Sequence, residues 1–331
     1  MKIILAFFIL FAHCPISYVG WVEPLLRLLC PLFLMVSGFF LADSEGNVSS
    51  TRIRNSLTSA LRYILGITAV YALFLCYHFH DVGTPERMSC FRSFRFWGEW
   101  LLFGHMIHPT LWYLTAWLWA VLIVALLHRL RLMRLLPWLA AAGLLTGMAY
   151  GKYWTLFFSE EPDWILSVNC WAIGLPCLTA GIYARRIPET DAMRRSMRRL
   201  LLPLAALYIA EAVVVRIWIV EDCKMGYLYL LSLPLCVVIF FLFATSRRFD
   251  RLRNPDFLSA RARDIYFYQS ILIYLLAKLP VAGLRIWDDL TPLTVFLLLY
   301  AASALGSLAA GRLQAAWSTK SASLKIIKRT P

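Results

Sequence analysis

Long apolar runs alternate with short polar segments along the whole chain. A helix needs about 20 apolar residues to cross a bilayer, and about 17 to 25 are acceptable. Ten runs meet this criterion, at about 3–19, 25–42, 58–78, 111–128, 135–151, 164–183, 199–218, 227–245, 264–282 and 291–311. The pattern predicts an all-α, polytopic transmembrane helical bundle of about ten spans. We expect this transmembrane domain over residues 1–312 and a short basic cytoplasmic tail over 313–331.

Composition supports a membrane protein and excludes a soluble globule. Of the 331 residues, 60% are hydrophobic and only 16% are charged, too few charges to cover a water-exposed surface. The first apolar run has no small-x-small cleavage site, so we expect it to remain as a mature helix and not to be removed as a secretion signal.

The basic residues predict the orientation of the bundle. Most of the 33 Lys and Arg gather in every second polar segment: Lys2; Arg52, Arg54 and Arg62; Arg129, Arg131 and Arg134; and the stretches 185–199, 247–263 and 312–329. By the positive-inside rule these segments, and both termini, are cytoplasmic. Because topology accounts for the net charge of +14, we expect no nucleic-acid partner.

The second apolar run, Arg27 to Leu41, contains residues that are unusual in a simple lipid-facing helix. It opens on an arginine, which is costly near a membrane helix and by default functional. It also carries Ser37 and Gly38, whose small side chains let another backbone approach closely. A snorkelling Arg27 with a packing notch at Ser37 and Gly38 is the equally weighted alternative. Glu23 stands four residues before Arg27, a spacing and order that favour an ion pair.

His13 is a candidate general base inside the first span. An imidazole accepts a proton near neutral pH. Placing an ionisable side chain inside the bilayer costs free energy, so such residues are usually functional. Lys2 lies eleven residues earlier and within about 20° of His13 around a helix, about 16 Å away along its axis. One helix face would thus hold a cation at the cytoplasmic edge and a base near mid-membrane, which would suit a phosphate-bearing donor lying along the helix with its reactive end at His13. A His13 that only hydrogen-bonds a neighbouring helix is the structural alternative.

Further polar residues lie in or beside later spans. Glu211 and Arg216 are charged positions of the seventh span, and their five-residue spacing predicts that each contacts another helix. His105 and His108 precede the eighteen-residue fourth span and are candidates for an acceptor site, although two such histidines are more often structural. The connection at 79–110, rich in arginine and aromatic residues, is expected in the membrane interface or dipping back into the protein.

Several classes of enzyme lack support in the sequence. There is no nucleotide-binding glycine loop, no GxSxG elbow and no HExxH zinc signature. The Cys and His residues form no cluster at metal-ligand spacing. We therefore expect no bound metal and no permanently bound cofactor.

The motifs resemble those of the integral-membrane acyltransferase 3 family. Arg27, Pro31 and Phe33, followed by Ser37-Gly38-Phe39-Phe40-Leu41, resemble the signature of that family's second helix. His13 stands where the family has the histidine of an R-x10-H motif. Three further stretches resemble later motifs: Leu111-Trp112-Tyr113-Leu114, Gly174-Leu175-Pro176 with Gly181-Ile182-Tyr183, and Ile265-Tyr266-Phe267-Tyr268.

The resemblance implies a multi-pass enzyme of the bacterial inner membrane. It would move an acyl group, most often acetyl, from the co-substrate acyl-CoA to a hydroxyl of an envelope or exported carbohydrate or glycolipid. His13 would be catalytic and the basic residues Lys2, Arg52 and Arg54 would bind the donor. Acceptor or structural roles fall to the remaining candidates, Arg27, Ser37, Gly38, Trp112, Tyr113, Glu211 and Arg216.

Two other hypotheses remain open at the level of sequence. A transporter or flippase for a lipid-linked saccharide or a small anion would line a path with His13, Arg27, Glu211 and Arg216. The second hypothesis is a non-catalytic protein that keeps the acyltransferase fold. It is kept open because Lys2 stands where the family has arginine and Gln269 where many members have histidine.

Overall fold

The computed structural model describes residues 19–43, 45–81, 85–219 and 228–246, together with a few isolated positions. The chain divides into two compact units, one formed by 1–21 with 252–331 and the other by 22–251. All contacts given below lie within the unit 22–251. His13, Lys2 and the tail at 313–331 lie outside the described residues.

The described part of the chain consists of helices and the loops between them, apart from one isolated bridge between Ala42 and Val48 and one minimal hairpin. The α-helices are α1 (Val19–Arg27), α2 (Leu29–Leu41), α3 (Ser50–Asp81), α4 (Phe94–Phe103), α5 (Trp112–Arg129), α6 (Leu136–Ala149), α7 (Leu175–Ala184), α8 (Asp191–Val214) and α9 (Ser232–Ala244). Short 3₁₀ segments cover Pro85–Arg92, Pro109–Leu111, Met133–Leu135, Trp154–Leu156 and Trp164–Ser167, and π-helical turns cover Cys170–Gly174 and Val215–Ile219. In the other unit, strands β1 (Pro280–Val281) and β2 (Leu284–Arg285) pair antiparallel.

Within the described residues, five helical stretches are long and apolar enough to cross a membrane. They run over Glu23–Leu41, Ser50–His78, Pro109–Arg129, Trp164–Ala184 and Asp191–Ile219. Each coincides with a predicted span. Two shorter apolar helices, Met133–Ala149 and Ser232–Ala244, lie where the fifth and eighth spans are predicted. The spans predicted at 3–19, 264–282 and 291–311 fall outside the described residues, except for a few isolated positions, so the total of ten stays a prediction.

Helix α2 lies in the interior of this unit. It is apolar on every side, and ten of its thirteen residues are buried, as expected of a helix surrounded by others. The span that contains it is 61% buried, whereas the spans of α3 and α8 are only 28% and 17% buried. The apolar outward faces of α3 and α8 are therefore available to lipid.

Proline determines where α2 begins. Pro31 has no N–H and cannot donate to the carbonyl of Arg27, so the preceding helix ends there and a turn at Leu28 separates the two. Arg27 consequently occupies the last position of α1, where a cation interacts favourably with the helix dipole.

Two glycines allow α2 and α7 to touch backbone to backbone. A Cβ on Gly38 would overlap the carbonyl oxygen of Leu178, and a Cβ on Gly181 would overlap that of Met35. The two sites are reciprocal, each glycine facing the other helix. Close backbone approach through small residues is a general way of packing membrane helices. Gly38 is therefore a packing position in this structure.

Candidate functional site

The motif residues of α2 contact the motif residues of two other helices. Phe33 packs edge-on against Tyr113 of α5, with ring centroids 6.3 Å apart. The side chain of Ser37 lies close to that of Tyr113, and its hydroxyl donates to the carbonyl oxygen of Phe33 at 3.2 Å. Trp112 is buried beside Tyr113. Together with the close approach of Gly38 to α7, these contacts bring the motif residues of α5 and α7 against those of α2.

An ion cluster lies at the end of α1 that precedes α2. The guanidinium of Arg27 donates to the Glu23 carboxylate, which confirms the predicted ion pair. The same carboxylate oxygen accepts from Lys152 Nζ at 3.2 Å. Lys152 is 2% exposed, and its ammonium lies 5.2 Å from the ring centroid of Tyr229. Two cations therefore share one carboxylate in a largely water-excluded place.

Lys152 is a site residue that sequence reasoning missed. It follows the fifth apolar run and can be taken for an ordinary loop cation. The sequence does contain a sign that Lys152 is unusual. It lies on the predicted outer side, beside Tyr150, Tyr153 and Trp154, and the positive-inside rule disfavours a lysine there. No local pattern indicates that its partner is Glu23, 129 residues earlier in the chain.

Two tyrosines connect this cluster to α8 and to the segment that precedes α9. The hydroxyl of Tyr208 donates to the backbone carbonyl of Pro24, and its ring packs edge-on against Tyr229 at 5.4 Å. Both tyrosines are buried. Two buried tyrosine rings thus border the Glu23 cluster, and the hydroxyl of Tyr208 has a backbone partner, as buried tyrosine hydroxyls generally do.

Glu211 forms a second polar centre on α8. Its carboxylate accepts the hydroxyl of Tyr153 and the backbone N–H groups of Leu230 and Leu231, the latter at 3.0 Å. Burial, and then the hydrogen bond to Glu211, raise the pKa of Tyr153 above its usual value. Glu211 is therefore bonded to residues outside its own helix, although they lie in the segments before Trp154 and before α9 and not in another helix. Arg216 lies exposed in the π-helical turn that follows α8.

Arginines hold the loop at the opposite end of α2. Arg52 donates to the carbonyl of Ala42, Arg185 to that of Asp43 at 3.2 Å, and Arg186 to that of Gly46 at 3.1 Å. The guanidinium of Arg185 also lies 4.5 Å from the ring centroid of Phe39. The structure thus gives Arg52 a bond to the α2–α3 loop. Arg54 is exposed and faces a separate groove beside Arg129.

The two histidines before α5 have different surroundings. His108 Nδ1 accepts from the backbone N–H of Thr110 at 3.3 Å, and the ring stacks on Tyr71 with centroids 4.6 Å apart. His108 therefore starts the short 3₁₀ turn and has a structural role. His105 packs edge-on against Trp164, with ring centroids 5.6 Å apart. Its ring is half-buried, so protonation of His105 should affect the stability of the fold.

We expect His105 to make stability fall in mild acid. Burial lowers its pKa below the usual 6.5, although the charges of Asp163 and Glu99 oppose this effect. The unfolded chain therefore takes up the proton first, and stability is lost as the pH falls from about 6.5 toward the lower folded pKa. Melting temperatures of wild type and His105→Gln between pH 8 and pH 5 test this. An equally steep decline in both proteins would contradict the assignment to His105.

Comparison with known proteins identifies a family. A protein-family model described as an acyltransferase domain matches residues 1–312. No curated protein and no solved structure matches the chain. The matched range includes His13, Lys2 and every residue of the two polar clusters.

Proposed function

Since the chain belongs to the acyltransferase 3 family and is an acyltransferase with membrane helices, we propose that it O-acylates a carbohydrate. The donor is acyl-CoA, most often acetyl-CoA, and the acceptor is a hydroxyl of an envelope or exported carbohydrate or glycolipid. The observation that carries the proposal is the convergence on α2, where Ser37 and Phe33 meet Tyr113 and Gly38 meets α7. The proposed location is the bacterial inner membrane.

The proposed chemistry needs one base and one thiol leaving group. His13 accepts the proton of the acceptor hydroxyl while its oxygen attacks the carbonyl carbon of the thioester. The tetrahedral intermediate then collapses, the carbon–sulfur bond breaks, and the CoA thiolate takes the proton from His13. The products are an ester and free CoA. This role for His13 comes from its position in an intramembrane run and from the family resemblance.

Basic residues are proposed to attract the phosphates of the donor. Lys2 and Arg52 are the candidates, because Arg52 lies at the end of the bundle that the charge pattern predicts to be cytoplasmic. Arg54 lies on a different face of α3 from Arg52, in the separate groove with Arg129, so we do not assign it to the donor. A guanidinium can pair with phosphate through two N–H groups, whereas Lys2 offers a point charge.

The acceptor side is proposed at the opposite end of α2. Arg27 and Lys152 bring positive charge there, and Glu211 is held in place by three donors. Trp112 and Tyr113 are buried, so they shape this region by packing. Arg216, exposed beyond Glu211, is the candidate that could contact a ligand approaching from the surface.

Mass spectrometry of envelope glycans tests the proposed reaction most directly. Cells with the gene should carry glycans heavier by one acyl group than cells without it. Identical glycans, together with no release of free CoA by the purified protein, would favour the transporter hypothesis. A transporter would instead move its substrate across proteoliposomes without any acyl-CoA.

His13→Ala should lower the rate of acyl transfer by at least about a hundredfold, the lower bound for losing a general base. The measurement is release of free CoA from acetyl-CoA by purified protein. His78→Gln is the matched control, since it removes an imidazole that the mechanism does not use. A wild-type rate in His13→Ala would rule out the catalytic role of this histidine.

A further inference from the structure

A groove opens between the first turns of α3 and the last turns of α5. Its volume is about 460 Å³. Arg54 and Thr58 of α3 and His128 and Arg129 of α5 form its polar rim. Ser50 Oγ and His128 Nε2 lie 2.9 Å apart, and this hydrogen bond joins the two helices at the base of the groove.

The rim carries positive charge from both helices. Arg54 and Arg129 are exposed, and no carboxylate is among the residues that line the groove in the described part of the chain. Two guanidiniums on opposite walls attract an anion, and a phosphate group accepts bidentate hydrogen bonds from each. Thr58 and His128 add polar groups between them.

The remaining wall of the groove is apolar. Leu57 and Leu61 of α3 and Ala125 of α5 line it. Leu61 is 48% exposed, and the same helix exposes Leu65 and Leu73 further along. The apolar wall therefore continues into the face of α3 that is available to lipid, whereas the two arginines lie at the basic end of the helices.

We propose that this groove binds an anionic phospholipid. The headgroup phosphate would lie between Arg54 and Arg129, and the first part of one acyl chain would pack on Leu57 and Leu61. Basic pockets between membrane helices on the cytoplasmic side have this chemistry. Acyl-CoA also carries phosphates. Among the described residues that line the groove there is no Phe, Tyr or Trp to stack on an adenine ring, and the apolar wall of Leu57 and Leu61 suits an acyl chain, so the lining favours the lipid.

Lipid-dependent melting of the purified full-length protein tests the proposal. The protein is delipidated in a neutral detergent and titrated with phosphatidylglycerol or with phosphatidylcholine of the same acyl chains. We expect phosphatidylglycerol to raise the melting temperature by about 2–4 °C more than phosphatidylcholine. The double variant Arg54→Gln/Arg129→Gln should lose this difference.

A matched pair of arginines controls for general charge effects. Arg62→Gln/Arg134→Gln also removes two exposed cations, but neither residue lines the groove. This control should keep the wild-type preference for phosphatidylglycerol. Loss of the preference in both double variants, or its absence in the wild type, would overturn the proposal.

Titration with CoA separates the lipid from the donor. CoA and adenosine 3′,5′-bisphosphate are added to wild type and to both double variants without lipid. If these nucleotides stabilise the protein in a way that requires Arg54 and Arg129, and phosphatidylglycerol does not, the groove belongs to the donor and the lipid proposal fails. Since the readout is binding, the result does not depend on whether the protein acylates a carbohydrate.

Discussion

Gly38→Leu should destabilise the bundle by more than about 3 kcal/mol, at or beyond the upper end of the usual cost of overpacking. The first atom of the new side chain would overlap the backbone carbonyl of Leu178. A backbone group inside α7 cannot rotate away as a side chain can, so α2 and α7 would have to separate. Their separation would also open the reciprocal contact between Gly181 and Met35.

Gly66→Leu is the matched control for this substitution. Gly66 lies in the interior of α3, and no described atom outside its own stretch of helix lies within 4 Å of a Cβ built there. Leucine is the better helix former, so this variant should be neutral or up to about 1 kcal/mol more stable. Unfolding in detergent, followed by tryptophan fluorescence, compares the two variants. If both melted like wild type, the described contact between α2 and α7 would be wrong.

The sequence pattern predicted the positions of the helices better than their lengths. Continuous apolar runs are required for crossing a bilayer, so the spans containing α2, α3, α5, α7 and α8 were visible without a structure. The starts were less visible. Helix α3 begins at Ser50 and α8 at Asp191, whereas their apolar runs begin at about 58 and 199. The first turns of both helices lie in basic segments, where a hydrophobicity pattern cannot show that the helix has already begun.

Residue spacing along a helix was enough to predict part of the candidate site. The spacing of Glu23 and Arg27 predicted their ion pair because residues four apart face the same side of a helix. The same kind of rule could not bring Lys152 to Glu23, which depends on how α6 packs in the unit. It also could not decide between function and packing at Gly38. A small residue permits close approach, but only the structure shows the carbonyl of Leu178 that approaches it.

Glu23→Gln should be the most damaging single change in the ion cluster. The substitution removes the carboxylate that Arg27 and Lys152 share, leaving two like charges in a place where Lys152 is 2% exposed. Breaking a buried pair by removing one partner costs about 3–5 kcal/mol. The side chains of Glu23 and Arg27 remain 24% and 20% exposed, which places the expected loss near 3 kcal/mol because water screens part of the repulsion.

Lys152→Met should cost less, about 1–2 kcal/mol, because Arg27 continues to neutralise Glu23 and methionine replaces the aliphatic stem. The double variant Glu23→Gln/Lys152→Met should then be more stable than Glu23→Gln alone, since it removes one of the two cations that lose the shared carboxylate. Free energies of unfolding for wild type, both single variants and the double variant give the coupling energy directly. Additive losses would mean that the two side chains do not interact, whereas a rescued double variant requires that Lys152 and Glu23 meet in the folded membrane protein.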